Sequence, residues 1–163
     1  MVLEELNGVD WDSFPQPSGN APGHVAASLR RLAEVPDEAS MWAAYHQVLY
    51  AFGNNHAGTY YPVALAAIQF LAEIVAQGGA WARLGALEVL VDLVGAFEPE
   101  AGCELVTDLC GVARPTHMQL FMAVSAHRAL LDRLVVSGDS NQHRALAHDI
   151  LQVLDEVAAV RVS

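Results

Sequence analysis

The sequence predicts an all-α protein of about six helices, and three observations carry that prediction. Apolar residues recur at one-face helical spacing through most of the chain, as in Val63, Ala67, Ile68, Leu71, Ile74 and Val75. The breaks between such stretches are short clusters of turn formers, at G-N-N-H-A-G-T, Gly78-Gly79 and S-G-D-S-N. Hydrophobic residues fill 53% of the 163 positions and charged residues 17%, so one domain has enough apolar surface to build a core without metal or disulfides.

Residues 1–23 read as an N-terminal arm packed on the body, and residues 24–163 as one helical domain. In the arm, V-D-W-D-S-F precedes the turn-forming P-Q-P-S-G-N-A-P-G, with Val9, Trp11 and Phe14 as its anchors. A first helix is expected over 22–34, with Val25, Leu29 and Leu32 inward. The second starts at V-P-D-E-A-S, where Pro36 suits a first turn and Asp37 and Glu38 favour the positive end of the helix dipole, and it ends near Phe52. The third covers about 60–77, with Pro62 at an early position, and stops at the glycine pair. The fourth covers about 80–97, with Trp81, Leu84, Leu87, Leu90, Val91, Val94 and Phe97 inward.

Residues 98–115 read as a looser insertion containing a short helix between Glu100 and Leu109. Pro115-Thr116 opens a long fifth helix to about Val136, and a last helix spans 140–160 on a stripe of Leu146, Ile150, Val153, Leu154 and Val157. Helices two and three are expected to pair antiparallel, as are helices four and five. Trp42 and Trp81, 39 residues apart, open the first helix of each pair. Two-helix units at that period predict a short HEAT-like α-solenoid, against the alternative of a closed bundle.

The formal charge is -11, from 19 acids and 8 bases, and every base is Arg. The missing Lys is read as codon bias. So acidic a chain offers little to replace phosphate counterions, which disfavours nucleic acid and anionic lipid and makes a basic protein the natural partner. No apolar run reaches the roughly 20 residues of a membrane span. The N-terminal M-V-L-E-E-L-N-G lacks the basic and apolar regions of a secretory signal, so a cytoplasmic location is expected. Cys103 and Cys110 are seven apart, about 10 Å on a helix, and are expected to be free thiols.

The order V-D-W-D-S-F, then H-V-A-A-S-L-R-R-L, then N-N-H-A-G-T-Y-Y-P-V-A-L-A-A-I-Q-F-L-A-E-I-V resembles a family of small bacterial HEAT-like repeat proteins. Asp10-Trp11, His56, Gly58, Thr59, Tyr60 and Phe70-Leu71 occupy that family's aspartate-tryptophan start, histidine-X-glycine-threonine-aromatic connector and phenylalanine-leucine helix end. The similarity covers residues 9–97, and Ala57 stands where the family commonly has glutamine. The resemblance implies a HEAT-like fold and, from members that look like immunity proteins of toxin systems, a protein-binding role.

Among candidate sites, the connector residues Asn54, Asn55, His56, Thr59 and Tyr60 form the main polar cluster. Turn chemistry accounts for most of it, with Gly58 allowing unusual dihedrals and Thr59 capping the next helix; a loop binding site is the other reading. Seven His invite a metal reading, yet His143 and His148 are five apart and no Glu-x-x-His occurs, so no metal or cofactor is expected. No G-x-S-x-G, Walker loop or G-x-G-x-x-G is present, and Cys110 among apolar neighbours reads as an inert buried thiol, so no catalytic residue is assigned.

The sharper feature is a run without bases between Arg83 and Arg114 that holds Glu88, Asp92, Glu98, Glu100, Glu104 and Asp108. Glu88 and Asp92 are four apart, on a face of helix four away from its apolar stripe, and Glu100, Glu104 and Asp108 repeat that spacing. Like charges so placed cost a few tenths of a kcal/mol per pair, roughly. Either they form a solvated face or, with Trp42 and Trp81, they dock a basic partner. The sequence therefore predicts a non-enzymatic protein-binding module, and the resemblance implies one that inhibits a bacterial toxin by covering its active site. A ligand-binding protein or enzyme using His46, His56 or Cys110, and a self-associating adaptor, are the alternatives.

Overall fold

A computed structural model describes residues 4–108 and 110–162, and over them the chain is mostly helical. Seven helices form: α1 (His24–Ala33), α2 (Glu38–Phe52), α3 (Val63–Gln77), α4 (Ala80–Gly95), α5 (Thr116–Ser125), α6 (Arg128–Ser137) and α7 (Asn141–Val162). Five short strands join them: β1 (Gly53–Asn54), β2 (Thr59–Tyr60), β3 (Glu98–Pro99), β4 (Leu105–Thr107) and β5 (Ala113–Pro115). Helix α3 buries Ala64, Ala67, Ile68, Phe70, Leu71 and Ile74 and turns a narrow stripe of Gln69, Glu73 and Gln77 away from the core. So wide an apolar face packs against several neighbours at once.

The helix pairs differ from those expected. Extensive packing joins α1 with α2, α3 with α4 and α6 with α7, while α4 also packs against both α2 and α7. The expected pairs are helices two with three and four with five; instead α2 packs on α1 and α4, α3 on α4, and α5 chiefly on α3. A Cβ on Gly85 would lie 2.7 Å from Leu32 Cδ1 and 3.0 Å from Met41 Cγ, so the bare glycine lets α4 lie close against α1 and α2.

The arm is more ordered than its turn-rich sequence suggests. Two 3-10 turns, Glu4–Gly8 and Trp11–Ser13, carry Leu6 and Trp11 into the core, while Val9 and Phe14 pack half-buried on it. Asn20 Nδ2 donates to the Ala51 carbonyl at 2.8 Å and Val63 N–H to the Pro15 carbonyl at 3.1 Å, which ties the arm to both sides of the connector. Residues 1–3 of the arm and residue 163 of the domain lie outside the described residues.

The insertion after α4 contains no helix from 100 to 108, and Leu109, the expected end of that helix, lies outside the described residues. β4 and β5 pair antiparallel there, Val106 opposite Arg114. Four-residue spacing among the acids suggested a helix, but Leu105, Val106 and Thr107 are strand formers and Gly111, at φ 79°, makes the turn. The expected long fifth helix is two helices. The backbone leaves helical geometry at His127, φ -102° and ψ 14°, so that α5 packs on α3 and α6 on α7.

α7 docks on α4 through His143. Its Nε2–H donates to the Ala80 carbonyl at 3.0 Å, while the buried Nδ1 has no partner. Burial foremost, with the Arg83 guanidinium adding to it, holds the imidazole below the ordinary histidine range. The unfolded chain therefore takes up this proton first, and stability is full above about pH 6.5 and falls as pH drops below that. Thermal unfolding from pH 7.5 to 5 should show a steeper loss of Tm for wild type than for His143→Gln; parallel curves would contradict this.

Candidate functional site

The structure splits the predicted site residues into two places. One is a stripe over α2, α4 and the connector. The other is the β4–β5 hairpin.

On α2, Trp42, Tyr45 and His46 share a face because they are three and four residues apart. Trp42 and Tyr45 meet edge-on with ring centroids 5.4 Å apart, and the His46 ring lies 4.8 Å from that of Tyr45. The Tyr45 hydroxyl crosses to α4 and donates to the Asp92 carboxylate in a short hydrogen bond. Burial, then that bond, then the charges of Asp92 and Glu88 push the Tyr45 phenol well above its usual range, so it remains a donor at neutral pH.

Glu88 and Asp92 thus do not stand on a free outer face of α4, as expected; both are half-buried against α2. Burial, followed by the neighbouring Asp92 charge, raises the Glu88 carboxyl, and a hydrogen bond from Gln142 on α7 partly offsets this. The carboxylate is held at neutral pH in a place that disfavours its charge. Replacement by Gln is expected to raise Tm at pH 7 and to leave it unchanged at pH 4, where both side chains are neutral.

The connector extends the stripe. β1 and β2 form an antiparallel hairpin, Gly53 opposite Tyr60, and β3 adds to β2 in parallel. Asn54 Oδ1 accepts from the His56 and Ala57 N–H groups, both at 3.1 Å, and Gly58 turns the chain at φ 66°. Asn55 Nδ2 bonds His46 Nδ1 at 2.9 Å, and the Tyr50 hydroxyl meets His56 Nε2 at 2.6 Å. Thr59 caps no helix, contrary to expectation: α3 begins after Pro62 without a side-chain cap, and the Thr59 hydroxyl donates to Glu100 Oε2 at 2.5 Å. Tyr60 is buried core, its phenol pushed up by that burial.

Of the other acids, Glu98 and Glu100 border the connector sheet and Glu104 and Asp108 the β4–β5 hairpin. Glu98 lies on β3 and is exposed. Glu104 accepts the Gly102 N–H at 3.0 Å, which lowers its carboxyl. Asp108 accepts the N–H groups of Cys110 and Val112, both at 2.9 Å, and pairs with Arg114 Nε at 3.1 Å, which together lower it as well. Trp81 is half-buried in the first turn of α4, roughly 16 Å along the helix from Asp92.

Both Cys are free thiols, with Cys103 half-buried before β4 and Cys110 exposed in the turn. Cys110 is therefore not the buried thiol its apolar neighbours suggested, because a hairpin tip projects its side chains. Among the described residues no three His, Cys, Asp or Glu converge as metal ligands, and no helix is long and apolar enough to cross a membrane. The sequence reading passed over Tyr45 and Gln142. The spacing 42, 45, 46 could have drawn attention to Tyr45, whereas nothing local signals its bond to a residue 47 positions later.

Comparison with known protein families, curated proteins and solved structures gives no match to this chain.

Proposed function

We propose that this chain is a non-enzymatic protein-binding module, a short HEAT-like α-solenoid that captures a basic protein and acts as an immunity protein toward a bacterial toxin. The observation that carries the binding reading is the Trp42–Tyr45–Asp92–Glu88 stripe. It presents half-buried aromatic rings, with Tyr45 held by a hydrogen bond across two helices, beside two carboxylates that have no basic partner among the described residues. Aromatic anchors beside acids are what a basic interface pairs with. The packing of successive helices in pairs, α1 with α2, α3 with α4 and α6 with α7, supports the solenoid reading. The acidic sequence run and the resemblance of residues 9–97 support the toxin-inhibitor role. Its mechanism is occlusion: the stripe settles over a basic active-site cleft and blocks substrate entry.

A cation brought against Glu88 stabilises its carboxylate, so binding should tighten as pH rises through the carboxyl range. The test is recovery of the tagged protein from its native cells at low salt, followed by titration of the basic protein that elutes at higher salt. Trp42→Ala is expected to weaken that complex by about 2 kcal/mol, and Asp92→Lys to slow association and flatten its salt dependence. Unchanged affinity in both variants would remove the stripe as the docking surface.

A further inference from the structure

We propose that the free edge of β4 and the groove beside it accept an extended segment of the partner as a third strand. This rests on the reading that the partner is a basic protein, and places a second contact outside the helical stripe. The groove encloses about 730 Å³ between the arm, the start of α3, β4 and α5, with Phe14, Pro15, Leu65, Leu105, Val106 and Gln119 among its lining.

Three observations select that occupant. β4 pairs only with β5 among the described strands, so its other edge, bordering the groove, has no strand beside it. Proteins protect such edges with short strands, charges, Pro or a bulge. β4 is short and flanked by Glu104 and Asp108, which would repel a second copy of this edge but not a basic strand, and within it Leu105-Val106-Thr107 carries neither charge nor Pro, with Leu105 61% exposed. An extended segment laid there gains main-chain hydrogen bonds from the edge and apolar contact from alternate side chains.

The charge of the region selects the sign of that segment. From Glu98 to Pro115 there are four acids, Glu98, Glu100, Glu104 and Asp108, and one base, Arg114. Arg114 is taken by Asp108, while among the described residues Glu100 accepts from Thr59 and Ala101, and Glu104 from the Gly102 amide and its own, all neutral donors. Glu104 sits between the lining residues Cys103 and Leu105. An apolar segment interspersed with Arg or Lys matches both the wall and its rim.

The probe is a capped six-residue peptide alternating valine and arginine, titrated calorimetrically into the full chain, with amide hydrogen exchange followed at Leu105 and Thr107, whose N–H groups face away from β5. Binding and slowed exchange at these two amides are expected. N-methylation of alternate peptide nitrogens, which removes donors and keeps the charge, should weaken binding at least tenfold, and glutamate in place of arginine should abolish it. Leu105→Glu, at an exposed position, should also weaken it at least tenfold although it adds negative charge.

Absence of binding, equal affinity for the N-methylated peptide, or undiminished binding by Leu105→Glu would overturn strand addition; the latter two would mean electrostatic adhesion alone. Trp42→Ala should bind the peptide as wild type does. A basic partner that loses affinity for Trp42→Ala but not for Leu105→Glu would leave the helical stripe standing and remove the strand edge.

Discussion

Trp11→Ala is expected to destabilise the protein by about 3–5 kcal/mol, the usual cost of emptying a buried aromatic site. Trp11 is 5% exposed, its ring centroid is 5.6 Å from that of Phe70 on α3, and its indole N–H donates to the Leu6 carbonyl at 2.9 Å. Truncation removes the ring from between arm and core and deprives Leu6, which is fully buried, of its neighbour's bond. Gln16 also bonds the Trp11 carbonyl, at 2.9 Å, and links onward to Asn20. Native stabilities of about 5–15 kcal/mol make such a loss a large share of the total. Urea unfolding should show a free energy of unfolding lowered by that amount, with a correspondingly lower midpoint; a loss below about 1 kcal/mol would mean the arm is an appendage rather than part of the core.

Gly53→Ala is expected to cost about 3 kcal/mol, the upper end for overpacked sites. A Cβ there would lie 2.0 Å from the Thr59 carbonyl oxygen and 2.7 Å from Tyr60 Cα. These are backbone atoms, so no rotamer change relieves the clash and β1 must part from β2. The damage would spread to the 2.7 Å bond from Tyr61 N–H to the Phe52 carbonyl and to β3, which hangs on β2. Gly58→Ala is the informative comparison. Its φ of 66° imposes a left-handed backbone, roughly 1–2 kcal/mol for a side chain, but the nearest atom to its Cβ is Phe97 Cδ1 at 3.7 Å, an ordinary contact. Thermal unfolding should rank Gly53→Ala as the more damaging of the two, and the reverse order would show that β1 and β2 do not pair in solution.

Much of the candidate site was visible as residue types and little of it as geometry. Trp42, Glu88, Asp92, Asn55 and His56 were named from the sequence, and the structure gathers them along one stripe. Glu100, Glu104 and Asp108 were grouped with them by spacing. Four-residue spacing places side chains together only on a helix, and in a hairpin these carboxylates bond local amides and Arg114 instead. Tyr45, the residue that joins the two helices of the stripe, looked like one aromatic among several because its partner lies on another element.

The chain by itself determined where α1 to α4 and α7 form, because helical hydrogen bonds are local and a 3.6-residue apolar period records them directly, whereas the contact of the Glu88–Asp92 face of α4 with α2 left no such record. It also determined the excess of negative charge and the anchoring role of Trp11. Only the tertiary structure decided that α1 pairs with α2 and α3 with α4, that α5 and α6 part at His127 without Gly or Pro, and that residues 98–115 form strands. Each of these depends on contacts between residues far apart in sequence, such as Thr59 with Glu98 or α4 with α7, whose energy outweighs local preference and leaves no periodic trace in the chain.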